Sequence, residues 1–129
     1  MDLYSERRVF VEKPPRHRYL GLILDWMQSN RQLVVNTFRS INREYLETFM
    51  YNWLFPMLYD VVEQLASGLN VKKENKEFIA HFYTLSLTAI SLYWVRTGMK
   101  ETPETIVWQV EMTMKDNFVR ALERYAEHS

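Results

Sequence analysis

Residues that break helices are scarce in this chain, which has only three glycines and four prolines among its 129 residues. In the long windows between them, apolar residues recur every three or four positions, as they do along one face of a helix. The longest such pattern covers about residues 42–67 and contains Pro56, where we expect a kink or a restart. The sequence therefore predicts an all-α fold of about five helices.

Composition limits both the domain organisation and the partners. A hydrophobic content of 47% is enough for one core in a chain of this length. We expect an irregular or flexible arm over residues 1–15 and a single helical domain over residues 16–129. The 16 basic and 16 acidic residues cancel, so the charge balance does not favour a nucleic-acid-binding surface.

The absence of cysteines and of a signal peptide from the sequence indicates the cellular compartment. The chain has no cysteine, which excludes a disulfide framework, thiol catalysis and Cys-ligated zinc. Its first residues, MDLYSERRVFVEK, are charged throughout and lack the apolar run of a signal peptide. These features predict a cytoplasmic protein.

Residues 78–95, FIAHFYTLSLTAISLYWV, contain no Asp, Glu, Lys or Arg. Such a segment is compatible with a membrane span. Its length is marginal, however, it carries hydroxyl and imidazole side chains, and no comparable segment accompanies it. Because a helix that is apolar on all sides is also typical of a protein interior, we expect this one to be buried between protein surfaces.

Residues 97–110, TGMKETPETIVWQV, carry the clearest helix stop and start signals in the chain. Gly98 tolerates the positive φ that ends many helices. Met99 then occupies the position of a Schellman motif whose apolar side chain packs against the last helical turn. Thr102 suits an N-cap, and the proline after it suits the first helical position. We therefore expect a tight antiparallel hairpin, with the last helix of the chain over about residues 103–125.

Both helices of this hairpin keep apolar side chains after one face of each has been assigned to the core. If these side chains are exposed, they form a patch of the kind that usually marks an interface. We therefore expect a homodimer that pairs through the hairpin at Ile90, Trp94, Trp108, Met112 and Val119. The alternative is that the chain's other helices cover both faces.

The order of these signals resembles a known family. Residues 92–106, LYWVRTGMKETPETI, join a helix ending in an aromatic pair and a basic residue to a Gly-Met turn and a Thr-Pro-Glu helix start. This stretch is similar to the C-terminal domain of TetR-type transcriptional regulators. Residues 20–38, LGLILDWMQSNRQLVVNTF, are similar to the helix-break-helix that opens that domain. The similarity spans about residues 16–125.

The resemblance implies an all-helical effector-binding and dimerisation domain, whose last two helices pair across a two-fold axis as a four-helix bundle. Family members begin with a DNA-binding helix-turn-helix, which residues 1–19 cannot form. We therefore expect contact with DNA only through a helix-turn-helix that this sequence does not contain. The alternative is a stand-alone helical protein-interaction module that binds neither DNA nor a ligand.

An effector site is typically an apolar cavity with a few polar groups. We expect the long helix and the helix from residue 78 to bind a small apolar effector through Phe49, Trp53, Met57, His81, Phe82, Thr84 and Thr88. His81, Thr84 and Thr88 share one side of a helix and could orient a ligand. Buried threonines also commonly bond to the carbonyl four residues back, and the aromatic residues also fit plain core packing.

No catalytic or metal-binding pattern accompanies these residues. Glu77 and His81 have the spacing of a base and its orienting carboxylate, but no nucleophile accompanies them. The three histidines are too far apart in sequence for metal-ligand spacing, and glycine-rich phosphate loops are absent. The sequence therefore predicts a protein that is not an enzyme and uses no cofactor or metal.

Overall fold

The computed structural model describes residues 16–40 and 43–128, and the regular secondary structure in these ranges is helical. Its helices are α1 (Arg16–Ser29), α2 (Arg31–Ser40), α3 (Arg43–Leu65), α4 (Lys73–Arg96), α5 (Pro103–Met114) and α6 (Asn117–Glu127). The prediction of an all-α fold is confirmed. The expected arm over residues 1–15 lies outside the described residues.

The two longest helices, α3 and α4, pack against each other at the centre of the fold. They run antiparallel, since Tyr51 in the first half of α3 is hydrogen-bonded to His81 in α4. Near the other end of the pair, Glu63 forms an ion pair with Lys76, with an N···O distance of 3.3 Å. Helices α1, α2 and α6 pack against this pair.

Helix α3 continues through Pro56 without ending, so the expected restart does not occur. Proline removes one backbone hydrogen bond from a helix and crowds the preceding turn. On either side of it, Leu54 and Leu58 are buried against the core, and Val62 extends the same face. This continuous apolar face holds the helix together across the proline.

The turn after α4 has the geometry that its sequence predicts. The Met99 N–H donates to the Trp94 carbonyl oxygen at 2.8 Å, and the Gly98 N–H donates to that of Val95 at 3.1 Å, which is the Schellman pattern. Gly98 has a φ of 97°, and Met99 is buried. At the start of α5, the Thr102 hydroxyl accepts from the N–H of the third helical residue. The predicted Schellman turn at Gly98 and Met99 and the predicted N-cap at Thr102 are confirmed.

The helices joined by this turn are not each other's main partners. Helix α5 packs mainly on α1, whereas α4 packs on α3, α2 and α6. The last predicted helix is also two helices, because Asp116 adopts a left-handed conformation with a φ of 65° and separates α5 from α6. Asp adopts this conformation more readily than most residues. The break directs α6 onto α3 and α4, where Phe118 is buried edge-to-face against Tyr83.

Helix α4 is, within the described part of the chain, the one helix long and apolar enough to cross a membrane. Half of its most apolar window is buried inside the protein. The core helix of a protein outside the membrane meets the same criteria of length and composition.

Candidate functional site: an apolar groove

Helices α1, α2 and α3, with the last turns of α4, surround an apolar groove of about 220 Å³. We call it the aromatic groove. It is lined by Ile23, Trp26, Met27, Leu33, Val34, Thr37, Phe38, Tyr45, Leu46, Phe49, Met50, Trp53, Leu92 and Val95.

The aromatic groove has a buried floor and an exposed rim. Met27, Met50 and Leu92 are buried floor residues. At the rim, Phe49 and Trp53 lie one turn apart on α3 and stack with their ring centroids 6.2 Å apart, each about half exposed. Exposed aromatic rings above an apolar floor leave a large contact surface that the described chain does not cover.

The groove is almost entirely nonpolar. Among the described residues no charged side chain lines it, and its polar side-chain atoms are two hydroxyls and two indole N–H groups, from Thr37, Tyr45, Trp26 and Trp53. A site with this lining suits a neutral ligand with mostly apolar surface, because an ionised group would lose its hydration without gaining a partner.

Two of the seven predicted effector-site residues, Phe49 and Trp53, line the aromatic groove. Met57 lies further along α3 and does not line it, and Phe82 is exposed on α4. His81 is exposed as well and is hydrogen-bonded to the Tyr51 hydroxyl. The groove therefore differs from the predicted site in its walls, since α1 and α2, and not the first half of α4, face α3 across it.

The other two predicted residues, Thr84 and Thr88, are buried in α4. The Thr84 hydroxyl donates to the Ala80 carbonyl oxygen at 2.6 Å, the back-bonding expected of a buried threonine. The Thr88 hydroxyl is buried without a hydrogen-bond partner in the described part of the chain.

Four of the five predicted dimer residues are exposed to solvent, between 38% and 60%: Ile90, Trp108, Met112 and Val119. The expectation that Trp94 shares this exposed face is wrong. Trp94 is 1% exposed, and its indole N–H donates to the Glu101 carbonyl oxygen at 2.9 Å. It anchors the turn after α4 to the core of its own chain.

The arrangement of α1 to α5 can be compared with known families. A model of the C-terminal region of transcriptional regulators matches residues 17–116, from the start of α1 to the end of α5. The chain belongs to the TetR-type regulator family. The searches of curated proteins and of solved structures find no significant match.

In this TetR-type domain, an apolar face of α4 was missed by the sequence reasoning. Phe78, Phe82, Leu85, Ala89 and Tyr93 recur at intervals of three or four residues and are all exposed, and we call them the α4 stripe. The sequence signal for this face is the uncharged stretch 78–95, which places apolar residues on every side of the helix. Only packing distinguishes the face that the core uses from the face left over.

Two pKa values are shifted away from the groove, where α3 ends. The contact of the Tyr59 hydroxyl with the Glu63 carboxylate, together with burial, raises the pKa of Tyr59 to about 12. The same contact, followed by Lys76, lowers the pKa of Glu63. No group of three or more potential metal-binding side chains occurs in the described ranges.

Proposed function

We propose that this chain is the effector-binding and dimerisation domain of a TetR-type transcriptional regulator, and that a small apolar effector binds in the aromatic groove. The observation that carries the proposal is the groove itself, with a volume of about 220 Å³ and an uncharged lining drawn from four helices. Membership of a non-enzymatic family of regulators supports a sensing role over catalysis. We propose that the domain acts in the cytoplasm.

The composition of the groove suggests how a ligand affects the fold. Floor residues Met27 and Met50 come from α1 and α3, while Val95 comes from the end of α4. A ligand that binds one arrangement of these helices more tightly than another shifts the population toward it. In a full regulator, that shift would change the separation of two attached DNA-binding domains, which must match the spacing of the half-sites.

The effector proposal is tested by titrating toluene into the purified domain by calorimetry. Two exposed tryptophans form a matched pair, since Trp53 lines the groove and Trp108 lies on α5 outside it. Trp53→Ala should weaken toluene binding about tenfold, equivalent to about 1.4 kcal/mol. Trp108→Ala should leave it unchanged. Equal effects of the two changes, or no binding to the wild-type domain, would contradict the proposal.

We also propose that the domain dimerises through the α4 stripe, together with Ile90 and with Val119 of α6. A contiguous run of exposed aromatic and aliphatic side chains on one helix is typical of an interface. Helices α4 and α6 contact each other, which supports a shared surface. Trp108 and Met112 lie on α5, which packs on α1, so they form a separate exposed region.

Light scattering after size-exclusion chromatography tests the dimer. Leu85→Lys puts a charge in the middle of the α4 stripe and should shift the domain to monomer at micromolar concentration. Leu22→Lys on α1 is the matched control, since Leu22 is 59% exposed and Leu85 is 50% exposed. A wild-type monomer, or dissociation by the Leu22 change but not by the Leu85 change, would refute this interface.

A further inference from the structure

Helix α4 carries three buried hydroxyl side chains, and one of them has no hydrogen-bond partner within residues 16–40 and 43–128. Thr84 donates to the Ala80 carbonyl oxygen at 2.6 Å, and Ser91 donates to the Leu87 carbonyl oxygen at 2.8 Å. The Thr88 hydroxyl is also buried, yet no hydrogen-bonding atom of the described residues pairs with it. Buried polar atoms without partners are rare and costly, so this one requires an explanation.

Thr88 lies on α4, just before the stretch of this helix that lines the aromatic groove. Leu92 and Val95, which line the groove, follow Thr88 by four and seven residues and therefore share its side of the helix. Four residues of helix correspond to a rise of about 6 Å. Thr88 is not among the residues that line the groove, so a ligand would have to extend past Leu92 by one helical turn to reach its hydroxyl.

We propose that the effector is a neutral aromatic molecule with one hydrogen-bonding group, and that this group pairs with the Thr88 hydroxyl. The inference rests on the proposed effector function and specifies the class of ligand. An apolar cavity of about 150 Å³ accepts benzene, and the aromatic groove, at about 220 Å³, has room for a ring with a substituent. Because a threonine hydroxyl both donates and accepts, phenols and indoles suit it.

Phenol and toluene test the inference because they share a ring and differ in one hydroxyl against one methyl group. Both are titrated into the wild-type domain and into Thr88→Val by calorimetry. Thr88→Val should weaken phenol binding by roughly three- to tenfold, the worth of one neutral hydrogen bond. Toluene binding should not weaken.

Two control variants separate the hydroxyl from packing. Thr88→Ser keeps the hydroxyl and should retain the wild-type preference for phenol. Thr84→Val removes a hydroxyl that is already paired within α4 and should also retain it. Circular dichroism of each variant verifies its helical content.

The outcomes distinguish this inference from the effector proposal. If both compounds bind and Thr88→Val changes their affinities by the same factor, the pairing with Thr88 is wrong and the groove remains an effector site. If toluene binds and phenol does not, the hydrogen-bonding class of ligand is also wrong. If neither compound binds to the wild-type domain, the effector proposal fails and this inference fails with it.

Discussion

Replacing Thr88 by valine should stabilise the ligand-free domain. Thr88 is 5% exposed, and its hydroxyl has no hydrogen-bond partner in the described ranges. Burying an unpaired hydroxyl costs roughly 1 to 3 kcal/mol, judged from protein variants. Valine puts a methyl group in the same place and removes this cost. We expect Thr88→Val to raise the free energy of unfolding by about 1 kcal/mol, the lower end of that range.

Thr84 provides the reference for this prediction, because it is the same residue type, on the same helix, and fully buried. Its hydroxyl donates to the Ala80 carbonyl oxygen at 2.6 Å. Thr84→Val loses a hydrogen bond worth about 0.5 to 1.5 kcal/mol, and burying a methyl group returns about 0.8 kcal/mol. We therefore expect this variant to be neutral or slightly destabilised. The free energies of unfolding of the two variants should differ by about 1 kcal/mol, because only the Thr84 hydroxyl has a carbonyl oxygen, that of Ala80, to bond to.

Urea denaturation followed by circular dichroism measures both changes. All samples are compared at one protein concentration, because dimerisation makes the apparent stability depend on it. Thr88→Val should shift the midpoint to higher urea without changing the slope. The reasoning is refuted if Thr88→Val is no more stable than Thr84→Val. If Thr88→Val is more stable than the wild type and binds phenol less tightly, the Thr88 hydroxyl lowers the stability of the free domain and strengthens ligand binding.

Three further predictions concern residues near the ends of α3 and α4. The pKa of Glu63 is lowered in the folded state, so its contribution to stability is complete above its ordinary value of 4.5 and is lost as the pH falls through the folded value. As the pH falls from 4.5 through the folded value, the melting temperature of Glu63→Gln should therefore fall less steeply than that of the wild type, and parallel curves in this range would contradict this. Trp94→Phe removes the hydrogen bond to the Glu101 carbonyl oxygen and leaves a cavity, which should cost about 2 kcal/mol in urea denaturation. If Trp94→Phe instead dissociates the dimer and leaves the stability unchanged, Trp94 belongs to the dimer interface after all. Gly98→Ala forces a side chain into a φ of 97° and should lower stability by about 1 kcal/mol, whereas an unchanged melting temperature would mean that the turn has relaxed.

Features that depend on a few adjacent residues were predicted correctly. The left-handed Gly98 and the Thr102 cap both occur as the sequence indicates. Each depends on local backbone geometry and on hydrogen bonds within one turn, so no distant contact is needed to decide it.

The candidate site was predicted only in part, because it combines residues from four helices. Of the proposed ligand contacts, Phe49 and Trp53 line the groove, and Trp26 of α1 and Leu33 of α2, which were not proposed, line it too. Apolar periodicity shows that a helix has an apolar face, but it does not show which neighbour meets that face. On α4, both the face that packs and the face left exposed carry large apolar side chains.

The sequence by itself determined the all-α class, the positions of most helix ends and the likeness to TetR-type regulators, since these follow from local backbone preferences and short motifs. The tertiary structure decided that α5 packs on α1, that Trp94 is buried, and that the buried Thr88 hydroxyl has no hydrogen-bond partner among the described residues. These outcomes depend on which surfaces meet in space. Burial of apolar area is non-directional, so many pairings of helices satisfy the same pattern, and only the packed structure selects one.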